Sequence, residues 1–215
     1  MKGSVVFPQY TTRERVVDGC IHAIGVTASL VALTALLIIA VKAQATLWVV
    51  ALLVYGLALV AMFSCSAGYH LVPHPTIKEV FRRLDHAAIF FMIAGTYTPF
   101  ILLKMNNAWG LTLLAVVWTI AAIGIAIKLF KPYFLEGVTV ALYLVQGWAI
   151  LAAWKPMMEL PGVVLTLLMI GGVLYTVGVV FHLWDRLPYQ NAIWHGFVLS
   201  AASVHYAAVM MIVAA

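Results

Sequence analysis

Two short stretches of this chain gather residues able to do chemistry. The first, SAGYHLVPHPTIKEVFRRLDH at 66–86, holds Ser66, His70, His74, Asp85 and His86; the second, NAIWH at 191–195, holds Asn191 and His195. Ser66 and His70 are four residues apart, as are Asn191 and His195. Each pair therefore shares one face if its segment is helical. Asp85 follows His70 by fifteen residues, across a reversal of the chain. Two imidazoles with an oxygen ligand suit zinc better than magnesium, which prefers oxygen shells. Zinc with an open position lowers the pKa of its water to about 7, supplying hydroxide at neutral pH. In such a site Asp85 orients or deprotonates the water, and Ser66 donates to a carbonyl oxygen as charge develops there.

The elements that position these residues follow from composition. With 65% hydrophobic and 9% charged residues and a mean hydropathy of +1.08, the chain is outside the range of a soluble globular domain. Its apolar runs are continuous rather than alternating, which selects helices over barrel strands. Each bilayer crossing takes about 20 residues. The sequence predicts a single all-α, seven-helix integral membrane domain over 1–215, with spans at 19–41, 46–70, 85–104, 108–129, 135–154, 162–184 and 191–214. Charges in residues 1–18 leave no apolar core for a cleavable signal peptide there.

Lys and Arg set the expected orientation. Nine fall on the side of the N-terminus and three, Lys42, Lys104 and Lys155, on the other. That bias places the N-terminus in the cytoplasm and the C-terminus outside. The net charge of +5 is spread between apolar runs rather than gathered into a patch, a pattern that sets orientation rather than binding nucleic acid; the partner expected is membrane lipid. Cys20 and Cys65 face a reducing compartment without CxxC spacing, and are read as free thiols.

On this map six of the seven histidines gather at cytoplasmic helix ends, and His205 alone lies deeper. His74 and His182 are read as ordinary interfacial residues. His70, Asp85 and His195 fall within or against apolar runs, where ionisable groups face a cavity or a partner. Pro73 and Pro75 end the second span. Thr76-Ile77-Lys78-Glu79 matches a capping box, and an interfacial helix over 76–84 is expected, with Lys78, Arg82 and Arg83 turned to lipid phosphates. In AGTYTPF (94–100) the hydroxyls of Thr96, Tyr97 and Thr98 are expected to cover carbonyls freed by Pro99. A site at this level, opening sideways to lipid, favours an ester or amide of an acyl chain.

SAGYH, LDHAAIFFMIAGTYTPF and NAIWHGFVLSAASVHY, in this order, resemble bacterial hemolysin III proteins of the progestin and adiponectin receptor (PAQR) family. The resemblance covers nearly the whole chain, including Glu14 and His22. It implies a seven-helix bundle in the bacterial inner membrane with zinc near the cytoplasmic face, a hydrolase relationship to alkaline ceramidases, and a link to membrane-lipid homeostasis. Residue by residue, it implies that Ser66 is the family's serine and His70 its first zinc histidine. Asp85 is then the aspartate that approaches zinc through water, and His195 the last zinc histidine. One position departs, because the family usually has histidine where this chain has Asn191. Four outcomes stay open: a weakly held metal, Asp85 as a direct ligand, recruitment of His86 or His182, or no metal. A zinc-dependent lipid amidase or esterase is the first expectation, and a non-enzymatic membrane regulator with a structural polar site is the alternative.

Overall fold

The computed structural model describes residues 10–134 and 136–214; Lys2, counted above among the N-terminal cations, and Leu135, the expected start of the fifth span, lie outside them. Helices α1 (Thr12–Lys42), α2 (Thr46–Leu71), α3 (Pro75–Lys104) and α4 (Ala108–Phe130) are each one unbroken rod. Helix α5 (Glu136–Trp148) passes through a 3₁₀ segment (Ala149–Ala153) into the short α6 (Trp154–Met157), and α7 (Gly162–His182) and α8 (Gln190–Ala214) complete the chain. Seven segments are long and apolar enough to cross a membrane, α5 and α6 together forming one of them. No strand occurs among the described residues. Hydrocarbon offers backbone groups no partner beyond their own helix, and the fold follows that constraint.

Helix α1 starts well before the apolar run at 19. Thr11 caps it: the Glu14 N–H donates to Thr11 Oγ1 (3.3 Å) and the Thr11 N–H to Glu14 Oε2 (2.8 Å). This box winds Asp18 into the helix, on its buried side. The box expected at Thr76 and Glu79 does not form. Pro75 occupies the first helical turn behind an N-cap at His74, where its preset φ helps and its missing N–H costs nothing. Thr76 therefore lies inside the helix, and Glu79 binds Arg82 (3.0 Å) and Arg83 (3.1 Å) instead. Residues 76–84 run straight into the third span as one helix. Arg82 is buried, stacked 4.3 Å from the Tyr133 ring centroid, rather than turned to lipid.

Helix α3 is the most enclosed span, packing on α2 and α4 and touching α5 and α8. Its close approach to α2 needs small residues: a Cβ placed on Gly95 would lie 2.7 Å from that of Ala58, and one on Gly68 would overlap the Phe81 ring. The AGTYTPF segment divides its tasks. Thr96 and Thr98 donate to the carbonyls of Met92 and Ala94 on their own helix (both 2.9 Å), neither of which is the Gly95 carbonyl one turn before Pro99. Tyr97 reaches across to the break after α5, where the carbonyls of Gln146 and Gly147 lie 3.0 and 2.7 Å from its hydroxyl and the Ile150 N–H donates to it at 2.8 Å. A single phenol thus serves backbone groups that the helix break leaves without an i→i+4 partner. Helix α1 lies between α2 and α8, and α7 packs on α8. The ends of α1, α2 and α8 therefore meet.

Candidate metal centre

Asp18 and His22 lie one turn apart on α1, and each side chain is on the buried side of the helix. His70 comes from the last turn of α2 and His195 from the second turn of α8. One ligand atom from each of the four lies within 4.8 Å of all the others. Three imidazole nitrogens close on the Asp18 carboxylate: His195 Nδ1 at 2.6 Å from Oδ1, His22 Nε2 at 3.5 Å and His70 Nδ1 at 3.7 Å from Oδ2. The rings themselves are in contact, with centroids 4.4 Å apart for His22 and His195 and 4.5 Å for His70 and His195. Asp18, His22 and His195 are 6%, 2% and 7% exposed, so this is an interior group rather than a surface cluster.

Three imidazole nitrogens and one carboxylate oxygen fit a tetrahedral divalent transition metal, zinc above all. Two observations test that fit. His22 Nε2 is buried and has no hydrogen-bond partner, although it faces a carboxylate, as expected of a nitrogen aimed at a shared centre. With metal–nitrogen bonds of about 2.0–2.1 Å, neighbouring tetrahedral ligands stand roughly 3.3 Å apart. The spacings of His22 and His70 from Asp18 are close to that edge, whereas His195 must loosen its direct hydrogen bond.

The residues singled out in the sequence are distributed around this centre. His70 and His195 are in it. Ser66 is one turn before His70 on α2 and is buried. Asn191 stands just outside, its Nδ2 3.4 Å from His70 Nδ1. The third imidazole is neither at position 191 nor recruited from His86 or His182; it is His22. His86 commits Nδ1 to the Arg82 carbonyl at 2.6 Å. His182 rests against the Trp194 ring, 5.0 Å between centroids. Asp85 is outside the four-residue group. His74 is exposed, and His205 lies apart against the Leu168 carbonyl (3.2 Å).

Asp18 is the residue that sequence reasoning passed over, because it counts there only among the charges flanking the first span. Its signal is the spacing it shares with the other pairs: Asp18–His22, Ser66–His70 and Asn191–His195 are all four apart.

A narrow cleft reaches the centre from the surface, lined among others by Tyr10, Glu14, Asp18, His70, Tyr189 and Asn191. Partial burial pushes the Tyr10 phenol above its ordinary pKa, while a hydrogen bond with Asn191 acts in the opposite direction.

Residues 10–206, which contain all four members of the centre, match the family described as haemolysin-III related. The chain belongs to that family. As a haemolysin-III-related protein it is 40% identical over 203 residues to Hemolysin-3 of Bacillus cereus, covering 94% of this chain and 92% of that one. It is 36% identical over 204 residues to the Hemolysin-3 homolog of Bacillus subtilis (strain 168), covering 94% and 95%. A more distant relative on the PAQR side is the human monocyte to macrophage differentiation factor, 32% identical over 163 residues, 73% of this chain and 67% of that one. Seven apolar helices and these relatives make the chain a multi-pass membrane protein.

Proposed function

We propose that this protein is a zinc-dependent hydrolase of lipid amide or ester bonds, acting in the bacterial inner membrane with its metal centre toward the cytoplasm. The observation that carries the reading is the convergence of three buried donors and one half-buried one, from three different helices, on one point at the end of a membrane-spanning bundle. A buried group of one aspartate and three histidines in mutual contact has little purpose as packing, since apolar residues fill such space without desolvating a carboxylate. Its place at the helix ends supports a substrate whose acyl chain lies in the bilayer and whose carbonyl sits near the interface.

His22, His70 and His195 would hold the ion, with the Asp18 carboxylate beside it and the fourth position left for water. When bound, zinc supplies Lewis acidity, polarising a carbonyl oxygen and lowering the pKa of water to about 7. The remaining work belongs to the chain. Before the ion binds, Asp18 Oδ1 fixes the ring plane of His195 through its 2.6 Å contact with Nδ1. Ser66, on the same helix face as His70, donates its hydroxyl proton toward the oxygen on which charge develops. Asp85, at the start of the third span, takes a proton from the attacking water and returns it to the departing amine or alcohol.

A second reading has its own support. Structural zinc sites are closed by four protein ligands, and catalytic ones keep a position open. If Asp18 binds directly, the four donors close the site, and the protein is a membrane regulator held together by its metal.

The deciding experiment pairs metal analysis of detergent-purified protein with mass-spectrometric detection of fatty acid released from ceramide-type amides and acyl esters in nanodiscs. Stoichiometric zinc with fatty-acid release, both lost in His22→Ala, is the expected result. Zinc without release in wild type selects the regulator, and absence of zinc from gently purified protein overturns both.

A further inference from the structure

Glu14, Asp18 and His22 form one stripe along α1, each four residues from the next. The lower two belong to the metal centre. Glu14 instead reaches the start of α8, where its Oε1 accepts the backbone N–H of Tyr189 at 3.0 Å, joining residues 175 positions apart. Its Oε2 accepts from the Thr11 N–H (2.8 Å) and hydroxyl (2.7 Å), so both carboxylate oxygens are engaged. Tyr189 has φ of 59°, a left-handed conformation that a side chain other than glycine rarely adopts. That backbone is held in place from both sides: Gln190 N–H donates to Leu187 O (3.1 Å), Gln190 Nε2 to His182 O (2.6 Å), and Ile193 N–H to Tyr189 O (2.9 Å). Two residues beyond Tyr189, Asn191 Nδ2 lies 3.4 Å from His70 Nδ1.

These groups are the two walls of the cleft above the centre. Tyr10, Glu14 and Asp18 come from the start of α1 and the residues just before it, Tyr189 and Asn191 from the start of α8 and the residue just before it, and His70 from the end of α2. The free space inside is about 20 Å³, enough for a water molecule and far too little for the polar end of a lipid. We propose that Glu14 is a latch: by gripping the Tyr189 N–H it holds the beginning of α1 against the beginning of α8, and its release opens the cleft to ligands larger than water. The inference builds on the metal and lipid reading above, because a lipid carbonyl reaching the centre by this cleft needs it open. The latch itself is a matter of reach rather than of charge, since the acceptor must span from α1 to a fixed backbone N–H.

Diethylpyrocarbonate labelling of histidines in zinc-free, full-length protein in nanodiscs tests the latch without depending on metal. The reagent is larger than water and attacks accessible imidazole nitrogens, so mass spectrometry reads the opening at His70, with exposed His74 as an internal reference and His205, half-buried and bonded to the Leu168 carbonyl, as a reporter of the fold. Wild-type His70 is expected to label far more slowly than His74. Glu14→Asp keeps the charge and loses the reach, and should label His70 about tenfold faster, as should Glu14→Ala, the scale expected for losing one charge-assisted hydrogen bond. Glu14→Gln keeps the reach and an acceptor oxygen, and should stay within about threefold of wild type.

Unchanged His70 labelling in Glu14→Asp, or Glu14→Gln behaving like Glu14→Ala, overturns the latch. Acceleration that also appears at His205 reports loss of fold and counts against it. In zinc-loaded protein the same order should appear as the rate of zinc removal by EDTA. A wild type that binds no zinc sinks the metal reading and leaves the labelling result standing.

Discussion

The 2.6 Å contact between Asp18 Oδ1 and His195 Nδ1 requires a proton between them, since two bare acceptors at that distance repel. The chemistry of the centre follows from that proton. Metal uptake must displace it, and any imidazole that binds must be neutral. Zinc stabilisation is therefore present at high pH and lost on acidification, so zinc retained after dialysis should fall as the pH is lowered, and a flat profile would count against histidine ligation. Asp18→Asn keeps the shape and an acceptor oxygen but removes the charge, and should weaken zinc binding by at least about tenfold in competition titrations. Asp18→Ala also strands His195 Nδ1 in the interior, which should cost about 1–3 kcal/mol in detergent unfolding even without metal. Asn191→His, at a position whose present amide nitrogen lies 3.4 Å from His70 Nδ1, should bind zinc more tightly than wild type, as judged by chelator competition.

Between elements, the centre depends on how closely α2 and α3 approach, because α2 carries His70. Gly68 and Gly95 both mark that approach, but at different depths. Gly68 is two residues before His70 and faces Phe81, while Gly95 meets Ala58, twelve residues before His70 on α2 and so about 18 Å away along the helix. Valine at either position overpacks the interface, a change that costs about 1–3 kcal/mol in well-packed cores. Both variants should therefore melt earlier in detergent. Only Gly68→Val should also lose bound zinc, because it displaces the last turn of α2; equal zinc content in the two variants would show that the centre tolerates movement of that helix.

For the whole molecule, the distribution of Lys and Arg makes a prediction about direction. Nine on the N-terminal side against three on the other should leave the C-terminus outside. Alkaline phosphatase fused after Ala215 should be active in a bacterial host and green fluorescent protein fused there dark; the reverse pattern would move the metal centre to the outer face. Helix α3 sits at the middle of the bundle, with Tyr97 holding the break after α5 and Gln146 buried against the carbonyls of Phe90 (3.4 Å) and Val117 (3.2 Å). This polar framework joins α3, α4 and α5 on the side of the bundle away from α1, so the α1–α8 side can open without unpacking it.

The amino-acid sequence determined the seven spans, because hydrocarbon requires every backbone group to be satisfied within its own helix and so writes each crossing as a long apolar run. It also marked His70 and His195, since polar pairs four residues apart at the ends of such runs are a local pattern. The start of α1 was legible too in the spacing of Thr11 and Glu14, as was the shared spacing of Asp18 and His22, although neither was read from it. What no local pattern contains is which helix ends meet. Asp85 and His86 follow His70 closely in the chain, yet the carboxylate at the centre is Asp18, and the third imidazole is His22 rather than a residue of α3 or α7. That choice arises from α1 packing between α2 and α8, which depends on side chains far apart in sequence fitting together along whole helices.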